Sequence, residues 1–210
     1  MKVLLINGSP DQRGCTYTAL REVEKELNAQ NIETEIIQIG RRSVSGCICC
    51  RKCHITGKCV IDDIVNTVAE KLHAADGLVV GTPVYYGSAN GSVISLLDRL
   101  FTVGGYSFAY KAAAAVVSLR RTGAIGTFNT LNDYFARSYM PIVPSQTWNV
   151  VYGQTPEEIL QDAEGIQTLK ILADNMAWML RCFENGRRYG INPPKVEAHI
   201  NHSVSMKNHD

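Results

Sequence analysis

Several signals are missing from these 210 residues. No apolar run approaches the roughly 18 residues of a membrane-spanning helix, so no membrane partner is expected. The chain opens on a strand pattern with no basic-then-apolar leader, which points to a cytoplasmic location. Charge of one sign is not in excess: 21 Lys and Arg face 20 Asp and Glu, a formal net charge of +1. That balance argues against nucleic acid or an anionic surface as the main partner. After the first strand there is neither a G-x-G-x-x-G fingerprint nor a Walker lysine motif. Internal repeats and low-complexity linkers are also absent. Cysteine is plentiful by contrast. There are 7, and Cys47, Cys49, Cys50, Cys53 and Cys59 crowd into one short stretch. An odd count in a reducing compartment suits metal or redox use better than a disulfide framework.

The remaining pattern alternates strand and helix. Val3–Ile6 is a short continuous apolar run, as expected of a strand covered on both faces. Residues 17–30 carry Leu20, Val23 and Leu27 on one helical face. A second strand is expected at 33–39 and a helix at 64–75, opened by the acidic pair Asp62-Asp63. Gly77–Gly81 reads as a third strand ended by Thr82-Pro83, since proline cannot continue a central ladder. A helix over 88–103, a strand over 112–119 and a helix over 125–139 follow. A broken fifth strand is expected at 140–143 and 147–151. One long helix over 156–183 closes the pattern, with Pro156 in its first turn. This predicts one α/β domain over residues 1–192, with a Cys-rich loop at 46–61 and a polar tail at 193–210. The sheet is five-stranded, parallel and doubly wound, with helices on both faces in three layers. In such sheets ligands lie beyond the carboxyl ends of the strands, where strand order reverses.

Three loops fall at that edge. Ser9, Pro10, Arg13, Cys15, Thr16, Tyr17 and Thr18 lie between the first strand and the first helix. A helix start offers unpaired N–H groups and the positive end of its dipole, and phosphate suits both. Hydroxyls and Arg13 add donors and charge. The same residues also fit an ordinary turn with Thr16 as N-cap. The second loop, Pro83, Val84, Tyr85, Tyr86 and Gly87, presents flat aromatic faces beside a stiff turn; a helix-end cover or subunit contact is the plainer alternative. In the third, Ser118, Arg120, Arg121, Thr122 and Gly123 combine backbone donors with cations suited to a reduced ring or a second phosphate, or simply form a solvated turn. Taken together, a phosphate grip, aromatic faces and cationic donors describe a mononucleotide with a large flat ring. Flavin mononucleotide (FMN) fits better than NAD or ATP.

These stretches, Gly8-Ser9-Pro10 with Gly14-Cys15-Thr16, Thr82–Gly87 and Arg120–Gly123, resemble the NADPH-dependent FMN reductase family of the flavodoxin-like fold, including its iron–sulfur flavoprotein branch. The resemblance runs over roughly residues 1–190. It implies noncovalent FMN, with Ser9, Arg13, Cys15 and Thr16–Thr18 at the phosphate. Pro83–Gly87 and Ser118–Gly123 would lie around the isoalloxazine. Cys15 departs from the Asn or Ser of many relatives, and Asp11 from a frequent basic residue; an inward-pointing Asp11 would repel phosphate.

Cys47, Cys50, Cys53 and Cys59 form C-x2-C-x2-C-x5-C. Three thiols at steps of three can wrap a compact cluster that a fourth closes. Structural zinc generally prefers two separated C-x2-C pairs. An iron–sulfur cluster, zinc, and a metal-free loop of small apolar or reversibly paired thiols all remain open. The resemblance implies a 4Fe–4S cluster passing single electrons to FMN. Cys182 is expected to be a core thiol, Trp178 to fill the core, and Trp148 to fill the core or a subunit contact. His54 is expected at the surface.

The expected activity is an FMN-dependent oxidoreductase. NAD(P)H is its donor substrate, and a quinone, flavin or similar small molecule its acceptor. The alternative is a one-electron carrier between a ferredoxin-like protein and another partner. The resemblance implies a homodimer or homotetramer, in which Tyr106, Phe108 and Tyr110 are candidates for the contact.

Overall fold

A computed structural model describes residues 1–39 and 43–197. Its centre is β5 (Ala112–Leu119), Ala-Ala-Ala-Ala-Val-Val-Ser-Leu, in which every residue is buried. Such a strand has no polar face, which requires cover on both sides. The flanking strands are β3 (Gly77–Tyr85) and β6 (Val150–Tyr152), with β1 (Lys2–Asn7) and β2 (Glu33–Gln38) beyond β3. The order is β2-β1-β3-β5-β6 and all four pairings are parallel. A two-residue strand, β4 (Ser88–Ala89), folds back antiparallel on β3.

Alternate residues of each strand enter different layers. Leu4, Ile6, Leu78, Val80, Ala113 and Ala115 pack with α3 (Ile64–Ala74), α4 (Gly91–Leu100) and α5 (Ala124–Arg137). Val3, Leu5, Val79, Ala112, Ala114 and Val116 pack with α1 (Cys15–Ala29) and α7 (Ala163–Arg188). The period of two is thus written through an apolar run that hides it from inspection. This is the flavodoxin-like three-layer arrangement expected from the sequence. Strand order reverses between β1 and β3, and the carboxyl ends of those two strands define the crevice.

Several element limits differ from expectation. β3 runs through Pro83 to Tyr85, with Pro83 still in register with Ser118. The β1 side of the ladder stops at Gly81, so beyond it β3 is an edge there, and an edge tolerates proline. The expected helix from residue 88 begins instead at Gly91, because Ser88 and Ala89 close a hairpin and Asn90 caps the helix through Ser92 N–H. The long final helix is two: α6 (Pro156–Gln161), capped by Thr155, and α7, capped by Asp162. Asp162 Oδ1 accepts from Gly165 N–H and Oδ2 from Tyr152 N–H, tying the break to β6. One helical turn, α2 (Cys53–Thr56), lies within the Cys-rich loop. The expected tail loses regular structure after α7, and its residues 198–210 lie outside the described residues. Among the described residues no helix is long and apolar enough to cross a membrane.

Candidate functional site

The first loop organises itself by side chains that accept backbone bonds two residues on. Asn7 Oδ1 accepts from Ser9 N–H at 3.1 Å, Ser9 Oγ from Asp11 N–H at 3.1 Å, and Asp11 Oδ1 from Arg13 N–H at 3.0 Å. Gln38, itself bonded to Asn7, donates to the Ser9 carbonyl at 2.6 Å. Gly8 N–H donates to Gly81 O at 2.8 Å, fastening the loop to the end of β3. The donors left for an anion are therefore those of the first turn of α1. That helix starts at Cys15 with Gly14, not Thr16, at its cap position, with no side-chain cap bond and no acidic residue in its first turn. The contrast inside the molecule is informative, since α3, α4, α6 and α7 all carry side-chain caps.

The hydroxyls are arranged differently from a fan of donors. Thr16 Oγ1 and Ser118 Oγ share a buried 2.7 Å hydrogen bond, joining the first turn of α1 to the end of β5. Thr18 Oγ1 donates back to Gly14 O at 3.1 Å. Tyr17 is half-buried, and Arg13 is exposed. Asp11 turns its carboxylate onto the loop, and a Cβ at Gly14 would meet its Oδ2 at 2.8 Å. The Cys15 thiol faces Gly153 O at 3.7 Å. Burial, with added repulsion from Glu158 and Asp11, holds its pKa above the ordinary thiol range. It is a neutral thiol at physiological pH and brings no negative charge to the anion position.

The second and third loops meet. Tyr86 (φ 51°) and Gly87 (φ 78°) form the two-residue turn between Tyr85 and Ser88, a left-handed pair typical of tight hairpins. Tyr86 is fully exposed and Tyr85 half-exposed. Gly123 (φ 96°) lies beneath the hairpin: a Cβ there would stand 2.8 Å from Gly87 Cα and 3.0 Å from Val84 Cγ1. Only glycine meets both demands. Arg120, Arg121 and Thr122 are exposed on this turn, and α5 begins after it without a side-chain cap. The crevice thus has two uncapped helix starts, an aromatic hairpin and two exposed guanidinium groups around the carboxyl ends of β1, β3 and β5. An anion at α1 fits the open donors there, and the two later loops pack on each other at Gly87 and Gly123 beyond the carboxyl ends of β3 and β5.

The cysteines form a separate region. Cys47, Cys49, Cys50, Cys53 and Cys59 line one cavity of about 130 Å³ with Ile48, Val60, Ile61 and Arg99. All seven cysteines are free. Among the described residues no three His, Cys, Asp or Glu side chains converge on a single-ion position. The donors surround a space instead of meeting at a point, and five of them are sulfur, with His54 the one nitrogen ligand type beside them, a set that suits a soft metal or an iron–sulfur cluster better than a hard cation. The loop docks on the turn after α4: Cys53 Sγ is 3.6 Å from Thr102 O, and a Cβ at Gly105 would lie 2.3 Å from Gly57 O.

Arg99 is the residue that sequence reading missed. It sits on the α4 stripe between Leu96 and Val103, at steps of three and four, and that inward register was the available signal. Other expectations fail on burial. Cys182 is exposed and Trp178 is 66% exposed; Trp148, expected in the core or at a subunit contact, is 57% exposed, which excludes only the core. Trp148 lines a cavity at the β6 edge with Ile125 and Tyr152. Of the three aromatics expected at a contact, Phe108 is buried in the core, and the partly buried Tyr106 stacks on it at 6.3 Å between ring centroids. His54 is exposed, as expected.

Parallel strands in flavodoxin order with a switch-point crevice define the class as a flavodoxin-like α/β protein. Solved structures agree on that fold. RosB with a bound 8-demethyl-8-formylriboflavin-5'-phosphate intermediate superposes with a TM-score of 0.70 at 15% identity, covering 100% of this chain and 95% of that one. The NAD(P)H:quinone oxidoreductase from Methanothermobacter marburgensis gives 0.64 at 16% identity, covering 84% and 96%. Residues 1–155 match the NADPH-dependent FMN reductase family, and the chain belongs to it. Similar curated proteins include an iron–sulfur flavoprotein of Methanocaldococcus jannaschii, 31% identical over 86% of this chain and 98% of the relative. One from Methanosarcina thermophila is 31% identical over 89% and 99%.

Proposed function

We propose that this protein is an FMN-dependent NAD(P)H oxidoreductase that hands electrons to a quinone, a flavin or a similar small acceptor. The observation that carries the reading is the uncapped start of α1 at the β1/β3 switch point, joined through Thr16 to Ser118 at the end of β5. The first-turn N–H groups of α1, with Ser9 and Arg13, hold the phosphate. Val84, Tyr85 and Tyr86 cover the ring, and Arg120 and Arg121 place positive charge where electron density accumulates on reduction. When bound, FMN supplies the redox chemistry, accepting hydride from the nicotinamide and returning electrons singly or in pairs. The protein needs no general base for this. Its residues bind, orient and tune.

A second reading is a one-electron carrier, favoured by the five cysteines around one cavity. There Cys47, Cys50, Cys53 and Cys59 hold a 4Fe–4S cluster, and a ferredoxin-like protein is the partner. A cytoplasmic homodimer or homotetramer fits either reading. The test is anaerobic mixing with NADPH or NADH while flavin absorbance is followed. Rapid bleaching, with turnover on adding a quinone, supports the enzyme. Flavin that stays oxidised with nicotinamide but is reduced by ferredoxin contradicts it and favours the carrier.

A further inference from the structure

Arg99 is the largest fully buried side chain of the described residues, and it is a cation. Burying a guanidinium is costly unless every donor is matched. Here they are. Nη1 donates to Asp63 Oδ2 at 2.5 Å and to Ser45 O at 3.2 Å. Nη2 donates one hydrogen to Asp63 Oδ1 at 2.9 Å and shares the other between Cys59 Sγ and Ile61 O, the latter at 3.2 Å. Nε and Nη2 also reach Cys59 Sγ, at 3.3 and 3.1 Å. Asp63 in turn caps α3 through Val65 N–H at 3.1 Å. The partners divide into two sets. Asp63 anchors the guanidinium to the start of α3. Ser45 O, Cys59 Sγ and Ile61 O all belong to the cysteine segment, one at its beginning and two at its end.

The choice of sulfur as acceptor is the informative part. A neutral thiol is a weak acceptor. Two N–H donors of one fixed fork aimed at the same sulfur suit one that carries negative charge, as a metal-bound thiolate does. Hydrogen bonds to ligand sulfurs are among the factors that set iron–sulfur potentials. One-electron reduction adds one negative charge to a cluster, and N–H···S bonds from a buried cation favour that state.

Resting on the reading that the cysteine loop holds a cluster, we propose that Arg99 is its positioning and tuning residue. It closes the loop by gripping both ends, presents Cys59 to the cluster, and raises the cluster's reduction potential through Nε and Nη2.

The experiment uses the full chain purified without oxygen, as wild type, R99K and R99Q. Iron, sulfide and FMN per chain are measured, with the cluster midpoint by titration against dithionite. At the wild-type midpoint, R99Q is expected to show a reduced-to-oxidised ratio at least tenfold lower, a shift of ~59 mV for one electron. R99K, which keeps charge without the fork, falls between. Loss of iron and sulfide with FMN retained also supports the proposal. Full iron content with an unchanged midpoint in R99Q overturns it. If both variants fail to fold, pulsed magnetic resonance on reduced protein labelled with 15N-arginine decides, in an R51K background that removes the other arginine lining the cavity. A 15N coupling to the cluster supports the proposal, and its absence overturns it. A wild type that binds FMN but takes up no iron or sulfide on reconstitution is a different failure. It overturns the cluster reading itself, and this proposal falls with it.

Discussion

The flavin crevice and the cysteine loop lie at opposite ends of α4, and they are built by opposite means. Asn90, at the helix start, is tied to the β3 hairpin by its N–H bond to Thr82 Oγ1 at 3.1 Å. Arg99, near the helix end, holds the cysteine segment. Ten helical residues separate the sites by about 15 Å along the axis. The crevice is an extension of the sheet, with walls that are the ends of fully buried strands joined by the Thr16–Ser118 and Gly8–Gly81 bonds. The loop has almost no core of its own. Cys47, Cys49 and Cys50 are exposed, and the segment is held by the Arg99 guanidinium, by Asn66 bonded to both the N–H and the carbonyl of Cys59, by the Lys58–Glu70 ion pair and by a short docked turn. A fold can preorganise the first kind of site without its ligand. The second kind is held at its ends, and on the proposed reading it is closed by what it binds.

The largest effect that would break this contrast is expected at Gly123. G123V puts a branched Cβ into the Gly87 backbone at positive φ, a strain of about 3 kcal/mol or more. FMN affinity should fall by about 100-fold or more while iron content is unchanged, as read by fluorescence titration and metal analysis. The mirror experiment is C50A, which should abolish cluster uptake and leave the FMN Kd within about twofold. A common loss of both groups in either variant would contradict the separation. T16V strands the Ser118 hydroxyl in the core and should lower stability by about 1–3 kcal/mol, seen as a lower denaturation midpoint. D11N removes a carboxylate beside the helix start and should tighten FMN by a few-fold, about 0.5–1 kcal/mol at low salt. The smallest effect concerns reactivity. With its pKa raised, Cys15 carries less thiolate at a given pH. It should be alkylated after Cys182, which is exposed and lies outside the cysteine loop, and later still with FMN bound.

Much of the architecture was readable because the buried strands are continuous apolar runs. The limits Ala112 and Leu119 agree with the structure, as does Asp63 as the cap of α3. Pro83 misled because whether a ladder continues depends on both neighbours, and β1 ends early on one side only. The break at Asp162 was hidden by good helix formers on either side, since its cause is a tertiary bond to Tyr152 N–H. The place of Thr16 and Thr18 at the start of α1 was legible, but the direction of their hydroxyls was not: Thr16 turns to Ser118, some hundred residues away, and Thr18 turns back to Gly14 O. Arg99 was overlooked for a similar reason. A charge on a helix reads as solvated until Asp63 and Cys59, far apart in sequence from α4, are known to meet it.

The phosphate grip at α1 is the point on which the account turns, and a paired titration of apoprotein with FMN and riboflavin tests it most directly. The two ligands share the ring and differ in the phosphate. The account predicts that FMN binds at least 100-fold tighter, about 2.7 kcal/mol, with the gap shrinking as salt rises. Equal affinities, or binding of neither, would contradict it.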